Sequence, residues 1–296
     1  MPPFTKRRHD GTYIQGREAY SKLMPHIMRT RTESLVFYPI EINVEKALRY
    51  MDLKRAEGIK ITLFNIVLAA IARTAMEYPK INRFVAGRRL YAHNKFCASY
   101  VVKRQMTLEG DDSLAKITFN PEHTLFENAA SMNECRRVIK KGAQGGVDKI
   151  IVYFSRLPRF MLRIVSFMIT RLEYSDMLPA SFCDSLPYYC SVFASNLGSI
   201  GADAPFHHLY EWGTCSIFLT VGRTFDKLVL EEDGIVRNVK HANIRATIDE
   251  RICDGFYLSR ALDFFARLLQ NPELLEISHT EYRARGRKTG KVATTV

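Results

Sequence analysis

The segment ITLFNIVLAAIARTAMEYPKINR, Ile61 to Arg83, restricts the folds open to this chain more than any other stretch. Its apolar residues run almost all the way round a helical wheel and stop before Pro79. A helix of that kind has no face to offer water and must be packed on several sides. Such packing needs a sheet or further helices around it, hence a large core. With 296 residues, 47% of them hydrophobic, the chain has enough for one large core or two closely joined ones.

The flanking segments supply the rest of that core. SLVFYPIEINV (Ser34 to Val44) places Val36, Tyr38, Ile40, Ile42 and Val44 in period two and reads as a strand. Val44 to Gly58 reads as a helix with a glycine stop. A hairpin leads into a strand at Phe96 to Val102, then a short strand at Lys116 to Thr118 and a helix at Leu125 to Lys141. KKGAQGGVD is a flexible joint. Strands resume in YCSVFASNLGS and in a β-meander from Cys215 that turns at Glu231-Glu232-Asp233-Gly234. A last amphipathic helix spans Phe256 to Gln270. The sum is an α/β sandwich, a mixed sheet covered by helices.

Forty-three basic against 31 acidic residues leave a net charge of +12, which favours anionic partners: nucleic acid, a membrane surface or a phosphorylated cofactor. No basic motif with interleaved aromatics stands out, so nucleic acid is not expected. Residues 1–20 form a basic arm whose Lys6-Arg7-Arg8 cluster is followed by no apolar run, unlike a secretory signal. Residues 277–296 read as a disordered basic tail; its GRKTGKV lacks the glycine spacing and the Ser or Thr of a phosphate loop. Six cysteines show neither a CxxC pair nor metal-ligand spacing, so reduced, buried thiols in a cytoplasmic protein and no metal are expected.

An apolar insertion occupies about residues 147–187. Pro158 breaks it, and the apolar part from Arg159 to Leu172 falls short of the roughly 20 residues that span a bilayer. Arg156, Arg159, Arg163 and Arg171 punctuate it. Three readings stay open: an interfacial membrane helix, a hydrophobic lid over a substrate pocket, or a helix packed on the core or at a subunit contact.

In TIDERICDGFYLSR, Thr247 to Arg260, a strand stops at the Asp254-Gly255 turn and restarts as a helix. Such a junction presents a side chain at the end of a sheet, and Glu250 stands in that place.

Three segments in register over roughly 220 residues resemble the catalytic domain of the dihydrolipoyl acyltransferases of 2-oxoacid dehydrogenase complexes and its relative chloramphenicol acetyltransferase. ITLFNIVLAAIARTAMEYPKINR is similar to the family's buried helix with its proline and asparagine, here Pro79 and Asn82. VFASNLGSIGADAPF resembles its [ST]-N-x-G strand and loop, and DERICDGFYLSRALDFFARLLQNPELL its terminal D-H-R-x-x-D-G signature. The resemblance implies a two-layer sandwich for residues 21–276 and a homotrimer with active sites between subunits. It also implies acyl-coenzyme A as donor and a small-molecule thiol, hydroxyl or amine as acceptor. Ser195 falls on the oxyanion donor, Asn196 and Gly198 on its motif, and Asp254-Gly255 with Arg251 on the structural part of the signature.

The family's catalytic histidine falls on Glu250. Imidazole, with a pKa of roughly 6.5, faces about 2.7 kcal/mol uphill in deprotonating a thiol near 8.5. A glutamate near 4.3 faces about 5.7 kcal/mol. Three readings follow: Glu250 as the base with a pKa raised by burial, a base supplied by His207 or His208, or an inactive trimeric scaffold. The two histidines also suit loop capping or pairing with Glu211, and Arg251 suits pairing with Asp254 or a neighbouring subunit's carboxylate. Ser195, Asn196, Gly198, Asp254 and Gly255, present as a set, favour retained acyl chemistry. With no lipoyl-bearing segment read ahead of the family-like part, which begins near Ser21, a free-standing enzyme is expected. The apolar insertion is expected to receive an acyl chain or to touch a membrane.

Overall fold

The computed structural model describes residues 8–15, 19–103, 112–140, 154, 156–230 and 234–288. The buried helix of the opening argument is α3, Leu63–Glu77, in which every residue from Phe64 to Ala75 is buried. Thr62 starts it with a capping box: its hydroxyl accepts from Asn65 N at 3.2 Å, and Asn65 Oδ1 accepts from Thr62 N at 3.0 Å. The helix ends at Tyr78, before Pro79.

Helix α3 lies against a six-stranded mixed sheet of order β2-β9-β8-β7-β5-β6, formed by β2 (Leu35–Asn43), β9 (Val236–Asp249), β8 (Ile217–Leu230), β7 (Val192–Asn196), β5 (Phe96–Lys103) and β6 (Asp112–Phe119). β7 runs parallel to both β5 and β8, and the remaining pairs are antiparallel. With side chains alternating along each strand, Val192 and Ala194, Ile217 and Leu219, and Ile244 and Ala246 join the core under the helices. The covering helices are α2 (Glu45–Ala56), α3, α4 (Leu125–Lys140) and α7 (Gly255–Gln270). The intervening residues turn to the opposite face, where Phe193, Phe218, Leu209, Cys190 and Cys215 form a second, smaller cluster.

A separate three-stranded sheet of β1 (Gly11–Tyr13), β4 (Arg89–His93) and β3 (Arg83–Ala86) carries Phe84, Ala86 and Tyr91 inside. Part of the N-terminal arm thus belongs to the fold. Arg8 is buried, paired at 2.7 and 2.8 Å with the two oxygens of Asp10, and its guanidinium lies over the Phe84 ring. The tail also departs from expectation. His279–Lys288 is a helix, because His279 Nε2 lies 2.6 Å from Glu77 Oε1, its backbone N–H donates to Pro121 O, and Tyr282 OH accepts from Arg267. Sequence pattern missed it because these partners are remote in the chain; residues 289–296 lie outside the described ones.

The insertion contains α5 (Arg159–Tyr174) and α6 (Ala180–Ser185). The joint at 141–149 and the turn residues 231–233 lie outside the described residues, and β6 is longer than the expected strand at 116–118. All six cysteines are free thiols, three of them buried. Among the described residues no helix is long and apolar enough to cross a membrane.

Candidate functional site

Ser195 sits near the end of β7 in register with Thr220 of β8, which is itself in register with Arg245 of β9. By strand alternation it shares with Phe193 and Phe218 the face opposite the covering helices. Its hydroxyl, half-buried, makes no hydrogen bond to any described residue. Asn196 ends β7, and the following turn runs from Leu197 to Ile200. A Cβ on Gly198 would stand 2.5 Å from Gly222 O, so the motif's glycine is needed where this turn meets β8.

The segment after the turn is strapped across that face. The Thr220 hydroxyl donates to Pro205 O, and Phe206 packs edge-on against Phe37 and under Arg245. His207 stacks on Phe218 with centroids 4.0 Å apart, and its Nδ1 lies 2.8 Å from His208 O. With Nδ1–H donating to that carbonyl, Nε2 carries the free lone pair. His208, exposed, stacks on His207 and meets Tyr210 edge-on. Neither histidine hydrogen-bonds Glu211. That carboxylate accepts from Arg31 N, Thr32 N and the Thr32 hydroxyl at 2.7 to 3.1 Å. Burial pushes Glu211 up, and the bonds from Thr32 and Arg31 more than offset it, holding the group below the usual carboxylate range.

Glu250 lies at the other end of the sheet. It follows the last residue of β9 and is exposed, whereas Asp249 and Arg251 on either side are buried. Those two form a bidentate pair, Nε–Oδ1 2.8 Å and Nη2–Oδ2 2.7 Å, and Arg251 Nη1 reaches Met28 O at 3.0 Å. Arg251 therefore pairs with Asp249 instead of Asp254, because the strand end points both side chains inward together. Asp254 caps α7, accepting from Tyr257 N at 2.9 Å, with Gly255 as the first helical residue. Along β9, Glu250 is five residues beyond Arg245, roughly 16 Å at about 3.3 Å per residue, and β9 lies two strands from β7. Within one protomer, Ser195 and Glu250 are not brought together; Ser195 and His207 share a face.

Two clefts border α5. A polar one of about 490 Å³ is lined by Arg29, Arg31, Arg88, Arg171, Glu173 and Arg251 among others. An apolar one of about 520 Å³ is lined by Leu162, Val165, Ile169, Phe182, Tyr188 and Trp212 among others. Tyr210, on the wall of the apolar cleft, also packs against Phe193, Phe218 and both histidines, linking that cleft to the face carrying Ser195. Glu173 is the group that sequence reasoning missed. Burial pushes its carboxyl up to about 7, with Arg31 and Arg8 pulling the other way. Only its position in RLEY, one acid at the end of an arginine-studded apolar helix, hinted at it. His9, Asp10 and Asp176 cluster, but Arg8 already holds both Asp10 oxygens, which leaves a guanidinium where a cation would sit.

No family model and no curated protein matches the sequence. Solved structures do match. A dihydrolipoamide acetyltransferase of Azotobacter vinelandii superposes with a TM-score of 0.58 at 16% identity, over 89% of this chain and 94% of its own. A probable dihydrolipoamide acetyltransferase of Listeria monocytogenes gives 0.56 at 16%, over 87% and 94%. A chloramphenicol acetyltransferase gives 0.50 at 15%, over 88% and 98%. The mixed sheet and its helical layer are thus those of a known architecture: this chain has the fold shared by dihydrolipoamide acetyltransferases and chloramphenicol acetyltransferase.

Proposed function

We propose that this protein is a coenzyme A-dependent acyltransferase that works as a homotrimer, with Ser195 and His207 as its reacting pair. His207 Nε2 takes the proton from an attacking thiol, hydroxyl or amine, which adds to the thioester carbonyl. The Ser195 hydroxyl donates to the resulting oxyanion. Collapse expels the coenzyme A thiolate, which recovers the proton from the imidazolium. One observation carries this reading: an unengaged hydroxyl and an imidazole with only Nε2 free share one sheet face. Phe218, on which His207 stacks, is offset from Ser195 by two residues along and one strand across, on the order of 8 Å. In this reading a carbonyl lies between the two, its oxygen on Ser195 and its attacker on His207.

The trimer is supported by the distal part of the β8–β9 hairpin, where Leu228, Leu230, Ile235 and Val236 are exposed apolar residues. A second reading makes Glu250 the base, supplied by a neighbouring protomer to Ser195; its place on the histidine of the resembling signature favours that. The acyl acceptor is a small molecule, and the setting is cytoplasmic.

Release of coenzyme A thiol from acyl-coenzyme A with a panel of acceptors tests the proposal. His207→Ala is expected to cost on the order of 100-fold or more and Ser195→Ala on the order of 100-fold, with Glu250→Gln within about threefold. The reverse pattern assigns the base to Glu250. A stable oligomer that neither turns over nor binds coenzyme A overturns the enzyme reading and leaves an inactive scaffold of the same fold.

A further inference from the structure

The clefts bordering α5 are adjacent, with Ser166 and Glu211 in the walls of both. Each lies within the size range of small-molecule sites, roughly 300–1,000 Å³. Their chemistry is opposite. The apolar cleft offers aliphatic and aromatic side chains. The polar cleft offers guanidinium groups, of which Arg29, Arg88 and Arg171 have no carboxylate partner among the described residues. Arg31 is buried with its terminal nitrogens on the carbonyl oxygens of Tyr210, Glu211, Val85 and Gly213, while its Nε has no partner. Of the two carboxyl groups facing them, Glu211 is engaged by Arg31 and Thr32, and Glu173 is pushed toward its neutral form. The cleft therefore has an excess of positive charge, and a buried nitrogen on its wall lacks an acceptor.

We propose that the adjacent clefts bind a single-chain amphiphile with an anionic head, a phosphate or a carboxylate, seated among Arg29, Arg31, Arg88 and Arg171 with its alkyl chain along Leu162, Val165 and Ile169. In that pose the head passes directly into the chain beside Ser166 and Glu211, the residues common to both clefts. The proposed ligand has no spacer between head and chain, unlike coenzyme A with its pantetheine arm, and so differs from the acyl donor. The inference stands whether or not the protein transfers acyl groups.

Trp212, the chain's only tryptophan, lines the apolar cleft and reports on it by fluorescence. The full-length protein is titrated with dodecyl phosphate and with laurate, each below its micelle-forming concentration. A saturable change in emission with either is expected, and the two arms tell phosphate from carboxylate. Dodecyl maltoside, with the same chain and a neutral head, is expected to bind at least roughly tenfold more weakly, and octyl phosphate more weakly than dodecyl phosphate. Arg88→Gln and Arg171→Gln are each expected to weaken binding of the anion roughly tenfold while leaving dodecyl maltoside unchanged. A response that never saturates, equal affinity for the neutral amphiphile, or indifference to both arginine variants overturns the proposal. So does a response seen only with anionic vesicles, which would assign the arginines to a membrane surface instead.

Discussion

Helices α3 and α5 have 15 and 16 residues, both are rich in apolar side chains, and they occupy opposite environments. In α3 the one charged side chain before the final residue is Arg73, and its guanidinium is satisfied by the carbonyls of Leu274 and Ile277. Every side of the helix can then be packed. In α5, Arg159, Arg163 and Arg171 recur at multiples of one helical turn, a spacing that keeps one side of the helix in water. Phe160 is 65% exposed and Ile164 54%, and the only buried residue is an acid, Glu173. Apolar content alone does not decide burial; the placement of the charges that must stay wet does. The consequence is functional, because a helix that lies over the molecule leaves clefts along its sides, and a helix sunk in the core leaves none.

That contrast can be broken experimentally. The largest effect is expected in α3: Leu68→Ala, at a site with no exposure, should cost about 2–5 kcal/mol in chemical denaturation. A loss below about 1 kcal/mol would mean that the helix is not the packed centre described.

Next comes the buried acid of α5. The Glu173 carboxyl titrates at about 7 in the fold against 4.5 for an ordinary glutamate, because burial outweighs the pull of Arg31 and Arg8. The folded state thus holds the proton more tightly. Stability from this group is fully present below about pH 4.5 and is lost as the pH rises through 7. Subtracting the stability–pH curve of Glu173→Gln from that of the wild type should isolate a fall on the order of 3 kcal/mol across that window. A flat difference would place Glu173 in water.

Asp254→Ala removes the cap of α7, whose buried face packs against α3, and should cost about 1 kcal/mol by the same denaturation measurement. The smallest effect is expected on the outer face of α5, where Ile164→Ser should change stability by no more than about 0.5 kcal/mol. A larger loss that depends on protein concentration would show that another protomer covers this face, and would sharpen the comparison into one between core and interface.

The elements that sequence pattern located well are those whose signal is local. The strand at Leu35–Asn43, the caps and breaks around α3, and the helix from Gly255 follow from period, capping and turn residues within a few positions. The candidate site was legible as a set of residue types and not as a geometry. Ser195 and Glu250 come from matching motifs, yet the sheet register sets them at opposite ends of one protomer. For Arg251 the chain offers one carboxylate two residues before it, Asp249, and one three residues after it, Asp254; a linear pattern does not choose between them, and only the inward turn of the strand end selects Asp249. The tail helix escaped notice because its anchors, Glu77, Pro121 and Arg267, are remote in sequence.

Taken by itself, the sequence determined that α3 must be buried, that helices would cover a mixed sheet, and which residue types stand at the [ST]-N-x-G and D-x-R-x-x-D-G positions. Those are properties of neighbouring residues, and neighbouring residues are what a linear pattern records. Tertiary structure decided that His207 faces the same side as Ser195, that Glu173 is enclosed among arginines, and that α5 stands over two clefts of opposite character. Each of these depends on strand register or on packing between distant segments, where burial and charge are set by atoms that no local window contains.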